Sequence, residues 1–108
     1  MAHDTSTADR LRSLIRLYDH QCGQNQVVDQ VVHKLFDLEI QRAREDLDLL
    51  QTRLTAWEQR HGLSSEEFYR QFRAGMLGDA VDYVEWSSFW DMYQAAQRRL
   101  NDLMIQAA

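Results

Sequence analysis

From Gln26 to Arg60 the chain runs without a glycine or a proline, and within that run Phe36, Ile40, Ala43, Leu47, Leu50, Leu54 and Trp57 recur at alternating steps of four and three. That spacing lines one narrow apolar seam of a helix pressed against another helix. Uninterrupted, such a helix is about 50 Å long at about 1.5 Å per residue. A chain of 108 residues must then find an equally long apolar surface to cover it. One candidate lies near its end, where Trp86, Phe89, Tyr93, Ala96, Leu100 and Leu103 repeat the same three-four rhythm. No proline and only four glycines occur anywhere, which removes most helix breakers and tight-turn chemistry. The pattern predicts an all-α fold: a helical hairpin or bundle with one long central helix antiparallel to the last. Because both seams are longer than one chain covers, it also predicts a homodimer joined through coiled-coil-like helical faces.

The chain reads as one all-helical domain over 1–108, built from an N-terminal helix (1–23), a long helix (24–61) and a short helix plus C-terminal helix (62–108). Helices are expected at 7–21, 26–61, 65–76 and 80–105. Thr5, Ser6 or Thr7 can cap the first, since their side-chain oxygens accept from orphan N–H groups. That helix should bury Leu11, Leu14, Ile15 and Tyr18 and stop near Gln21, with Gly23 supplying the left-handed C′ position and Asn25 capping the next helix. In the long helix, Val28, Val31, Leu35 and Leu38 form a second row, so its first half reads as bundle core. The second half, flanked by Arg42, Arg44, Glu45, Asp46, Asp48 and Arg53, reads as a more exposed arm or dimer seam. Gly62 suits the left-handed stop. Leu63-Ser64-Ser65-Glu66-Glu67-Phe68 then has the form of a capping box with a hydrophobic staple: Ser64 accepting from Glu67, Glu67 reaching back to Ser64, and Leu63 packing on Phe68. The short helix carries Phe68, Phe72 and Met76 inward, Gly75 and Gly78 end it, and Asp79 is the expected cap of the last helix.

A net charge of −5 argues against affinity built on phosphate neutralisation. Arg42, Arg44, Arg53 and Arg60 are interleaved with Glu45, Asp46, Asp48 and Glu58, the signature of an ion-paired face, so this chain alone is not expected to bind nucleic acid. One cysteine, Cys22, cannot close an internal disulfide, which suits a reducing compartment. There is no signal-peptide pattern and no apolar run of about 20 residues. The expectation is a cytoplasmic protein without a membrane partner.

Residue chemistry points to no reaction. His20, Cys22 and His33 match no zinc spacing, and no phosphate loop, nucleophile elbow or metalloprotease motif occurs. No catalytic residue, cofactor, metal or small-molecule substrate is expected. What stands out is aromatic density between Phe68 and Tyr93. With Trp86, Phe89 and Tyr93 on the seam, Tyr83 and Trp90 fall on another face of the same helix. Two surfaces are then needed to cover them: either the long and short helices take one each, or Tyr83 and Trp90 anchor a partner. Asp79, Asp82, Glu85 and Asp91 make the helix start acidic, as the helix dipole favours or as a rim that steers a basic partner.

The run from His61-Gly62 through Ser64-Ser65-Glu66-Glu67-Phe68, then Gly78-Asp79 and on to Glu85-Trp86, resembles small prokaryotic antitoxins of toxin–antitoxin pairs over about residues 61–93. The likeness implies a protein-binding module that masks a cognate partner protein through an acidic-aromatic helical surface. It places Glu66, Phe68, Tyr69, Phe72, Tyr83, Glu85, Trp86 and Trp90 in the part that engages or shapes that surface. The competing expectation is a scaffolding coiled-coil homodimer whose aromatics are all internal.

Overall fold

The computed structural model describes residues 6–20 and 26–108, with only the backbone described at His20. Four helices follow in order: α1 (Thr7–His20), α2 (Gln26–His61), α3 (Ser65–Arg73) and α4 (Val81–Ala107). No strand occurs among the described residues. The chain divides into two units, Met1–Val32 and His33–Ala108.

In the first unit Ser6 is the cap: its Oγ accepts from the Asp9 N–H at 3.1 Å, and Asp9 in turn holds Arg12 at 2.9 Å. The expected burial of α1 does not occur. Leu11, Leu14 and Ile15 stand exposed, and only Tyr18 is half-buried. The stripe is amphipathic as read, but an amphipathic pattern says which face seeks cover, not that the chain covers it. The expected stop near Gln21, with Gly23 at C′, and the Asn25 cap fall outside the described residues.

The second unit is an antiparallel hairpin of α2 and α4 with α3 packed at its closed end. Ion pairs mark the register: Arg60 meets Asp82 at 3.7 Å near the closed end, and Arg99 meets Glu39 at 3.0 Å far from it. Between them the two seams meet as their spacing required. Ala43, Leu50 and Leu54 of α2 are buried, and Phe36, Ile40, Leu47 and Trp57 are half-buried. On α4, Trp86 is buried and Phe89, Tyr93, Ala96, Leu100 and Leu103 are half-buried.

The division of labour along α2 is the reverse of that expected. The seam-bearing second half is the core, and the β-branched first half is not: Val31, Val32, Leu35 and Leu38 are exposed. Apolar breadth measured how much cover that half would need, whereas α4 lies along the narrower stripe.

Three helices are tied together at one corner. α2 ends at Gly62, whose φ of +64° is the left-handed conformation that glycine adopts without a Cβ clash. Gly62 and Leu63 both donate backbone N–H to the Glu58 carbonyl, at 2.8 and 3.3 Å. Ser64 caps α3 as expected, its hydroxyl accepting from the Glu67 N–H at 3.2 Å, and Leu63 packs against the core that holds Phe68. Glu67 does not reach back, however. It turns forward to Arg70 and Gln71, and the Glu58 carboxylate of α2 accepts from the next N–H, that of Ser65, at 2.8 Å. The Ser65 hydroxyl then accepts from Trp86 Nε1 of α4 at 2.9 Å. The indole is fully buried, and Phe68 stacks on it at 3.8 Å and 4°.

Two smaller expectations are corrected. α3 ends at Arg73, and Gly75, with φ of +75°, turns the chain away. Met76 has thereby left the helical face and is exposed, while Leu77 packs on the core instead. α4 starts one residue too late for Asp79 to cap it; Ala80 holds that position without a side-chain bond.

Ser65→Ala leaves the buried Trp86 N–H without an acceptor and should destabilise the fold by about 1–3 kcal/mol. Trp86→Ala opens the core itself and should cost about 3–5 kcal/mol; urea titration followed by circular dichroism compares them. Glu67 gives a separate pH signature. Hydrogen bonds from Arg70 and Gln71 hold its carboxyl down to about 2, below the ordinary value of 4.5. A depressed folded-state pKa stabilises above the unfolded value and is lost as pH falls through the folded one. The thermal midpoint should therefore drop between about pH 4.5 and 2, and Glu67→Gln should flatten that part of the profile.

Candidate functional site

The aromatic density resolves into an inner stack and an outer groove. Inside, Phe68 and Trp86 are 0% exposed, and Tyr83 tilts against Phe68 at 5.8 Å while Phe72 stacks on Phe68 at 5.5 Å. His61, last residue of α2, lies over Trp86 at 5.3 Å and near Tyr83 at 5.7 Å. These rings hold α3 on the hairpin. Of the residues expected at a partner surface, Phe68 and Trp86 have no accessible atoms and act only by shaping what lies above them. Phe72 and Tyr83 are half-buried against the same core.

Outside, Glu66 and Tyr69 of α3 face Trp90, Asp91, Gln94 and Arg98 of α4 across an open groove of about 620 Å³. Tyr69 and Trp90 are half-buried, with Trp90 stacked on Tyr93 at 5.8 Å and 17°. Each ring therefore packs partly on the core and remains partly accessible in the groove, the arrangement in which an aromatic can anchor another chain. Hydrogen bonding of the Tyr69 hydroxyl to Asp91, together with burial, pushes the phenol's pKa up. The Arg73 guanidinium lies over the Tyr69 ring at 5.9 Å.

Glu85 is not part of this groove. Five residues before Trp90, it lies about 140° away around α4 at about 3.6 residues per turn. The acidic helix start likewise does not form one rim: Asp82 is paired with Arg60, Asp91 belongs to Tyr69, and Glu85 faces elsewhere. Asp91, Gln94 and Arg98 join the site although the sequence did not single them out as a group. Their spacing from Trp90, at one, four and eight residues, was the available signal.

No protein-family model, curated protein or solved structure matches this chain. Among the described residues no group of three or more His, Cys, Asp or Glu side chains is placed to hold a metal. His33 sits 3.5 Å from Asp37, while Cys22 and the side chain of His20 lie outside the described residues. No helix of the described residues is long and apolar enough to cross a membrane.

Asp91→Asn removes the negative charge that favours the protonated phenol and leaves only a neutral, weaker acceptor, so Tyr69 should ionise at lower pH. Spectrophotometric titration of the tyrosines, with Tyr69→Phe to assign the signal, measures the shift.

Proposed function

We propose that this chain is a non-catalytic protein-binding module, antitoxin-like, that masks a cognate partner protein. The supporting observation is the groove between α3 and α4. It brings Tyr69 and Trp90 together with the carboxylates of Glu66 and Asp91, above the buried Phe68–Trp86 stack. Half-buried aromatics ringed by polar groups are the usual composition of a binding hot spot. Preorganisation adds to this, because little side-chain freedom remains to be lost on association.

A second reading, a structural homodimer joined through helical faces, draws on a different observation. Leu35, Leu38, Leu49, Met92, Met104 and Ile105 are all exposed on the second unit. Apolar residues left out along a helical layer call for a second layer. The two readings use different surfaces and are compatible.

Co-expression with the product of the adjoining reading frame, followed by affinity purification, tests the first. Tyr69→Ala with Trp90→Ala should weaken that association by at least about tenfold, in line with the loss of hot-spot aromatics, while helicity is retained. Undiminished association in a folded double variant overturns the reading.

A further inference from the structure

The hairpin has a second surface, on the side of α4 turned away from α3. There Leu49 of α2 and Met92 of α4, 69% and 53% exposed, line an apolar groove of about 520 Å³ together with Asp46, Leu50, Ala95 and Ala96. We infer that this face is the site at which a second copy of the chain docks, antiparallel, about a two-fold axis passing through Leu49 and Met92. The inference deepens the homodimer reading above by naming its surface and register, and is independent of the partner groove on α3.

Charge placement is what selects a second copy as the occupant. A two-fold interface is isologous, so each helix must complement itself when reversed about the axis. On α2, Glu45 stands four residues before Leu49 and Arg53 four residues after it. On α4, Glu85 stands seven residues before Met92 and Arg99 seven residues after it. Steps of four and seven return to nearly the same helical face, so each apolar centre has an acid and a base at equal steps on its two sides; Arg42, seven residues before Leu49, is paired within the chain to Glu39 at 3.8 Å and would face Ala56 of the second copy. Reversal about the axis puts Glu45 against Arg53 of the second copy and Glu85 against Arg99 of the second copy, each twice.

The two centres belong to one axis because the hairpin sets them level. Leu49 and Met92 line the same groove, and the Glu39–Arg99 and Arg60–Asp82 pairs bracket them at either side. Among the described residues Glu45, Glu85 and Arg53 have no ion-pair partner within the chain. Arg53 lies over the Phe89 ring at 5.8 Å, and Arg99 stays largely exposed while bonded to Glu39. Between the flanking charges α4 offers Ser88 and Ala95, small enough for close approach of two helices. A foreign partner requires no such mirror arrangement of signs on both helices.

The test uses the full chain with Cys22→Ser, so that no native thiol interferes. Sedimentation equilibrium should report a dimer, and Leu49→Cys should give a disulfide-linked dimer on mild oxidation, while Gln51→Cys, on the far side of α2, should not. Glu45→Arg should raise the dimer dissociation constant at least about tenfold by opposing like charges, and adding Arg53→Glu to the same chain should recover it. Circular dichroism melts verify that each variant is folded. A dimer that neither crosslinks at position 49 nor responds to the charge reversals overturns the proposed face and leaves the homodimer reading standing. A monomer overturns both. If deleting residues 1–25 converts that monomer into a dimer, the occupant of the face is α1 of the same chain.

Discussion

The hydrogen bond from the Trp86 indole to the Ser65 hydroxyl is the constraint on which the second unit's closed end depends. Ser65 begins α3, and its own N–H is held by Glu58 near the end of α2. One residue thus joins all three helices through two bonds of opposite sense, donating to α2 and accepting from α4. Burial makes this consequential, since Ser65 is 1% exposed and Trp86 0%. A polar group removed from water must be satisfied where it sits, so the indole can occupy its place only when α3 starts at Ser65. Phe68 completes the arrangement, one turn on from Ser65, by stacking flat on the ring that Ser65 holds.

Away from that corner the packing thins. Leu54, Phe68 and Trp86 form the fully buried cluster, and most seam residues toward the open end are only half-buried. Two helices side by side make a layer, and a layer buries one line of contact while leaving two broad faces. α3 covers one of these near the closed end. The other face keeps Leu49 and Met92 at the surface. The second unit is braced where it is three helices thick and leaves apolar side chains exposed where it is two.

This asymmetry separates the surfaces available for association. The groove beside α3 is mixed in character, with aromatic rings among charges, and sits on the best-packed part of the chain. The opposite face is apolar at its centre and self-complementary in charge at its margins. Different kinds of neighbour suit them, so the proposed second copy and the proposed partner protein would occupy separate surfaces.

Local chemistry and periodicity carried the sequence reading a long way. The glycine-free run announced α2, Gly62 its end, Ser64 the cap of α3, and the three-four rows on α2 and α4 are the surfaces that meet. Each of these depends on residues within a turn or two of one another, or on a repeat that a single helix already defines. What failed depended on which element lies over which. Leu11, Leu14, Ile15, Leu35 and Leu38 have the pattern of buried residues yet remain exposed, because hydrophobic spacing states a need and only tertiary packing meets it. Glu67 turned forward to Arg70 and Gln71 instead of back to Ser64, and the Ser65 N–H was taken by Glu58 of another helix. Phe68 and Trp86, read as inward-facing, are wholly buried and can only shape a surface, whereas Tyr69 joined Trp90 at one groove because α3 lies along that side of α4. The sequence by itself determined the helices, the turn from α2 into α3 and the seam between the two longest. Only the tertiary structure decided which aromatics are spent inside and which faces are left open, since that choice rests on contacts between residues far apart in the chain.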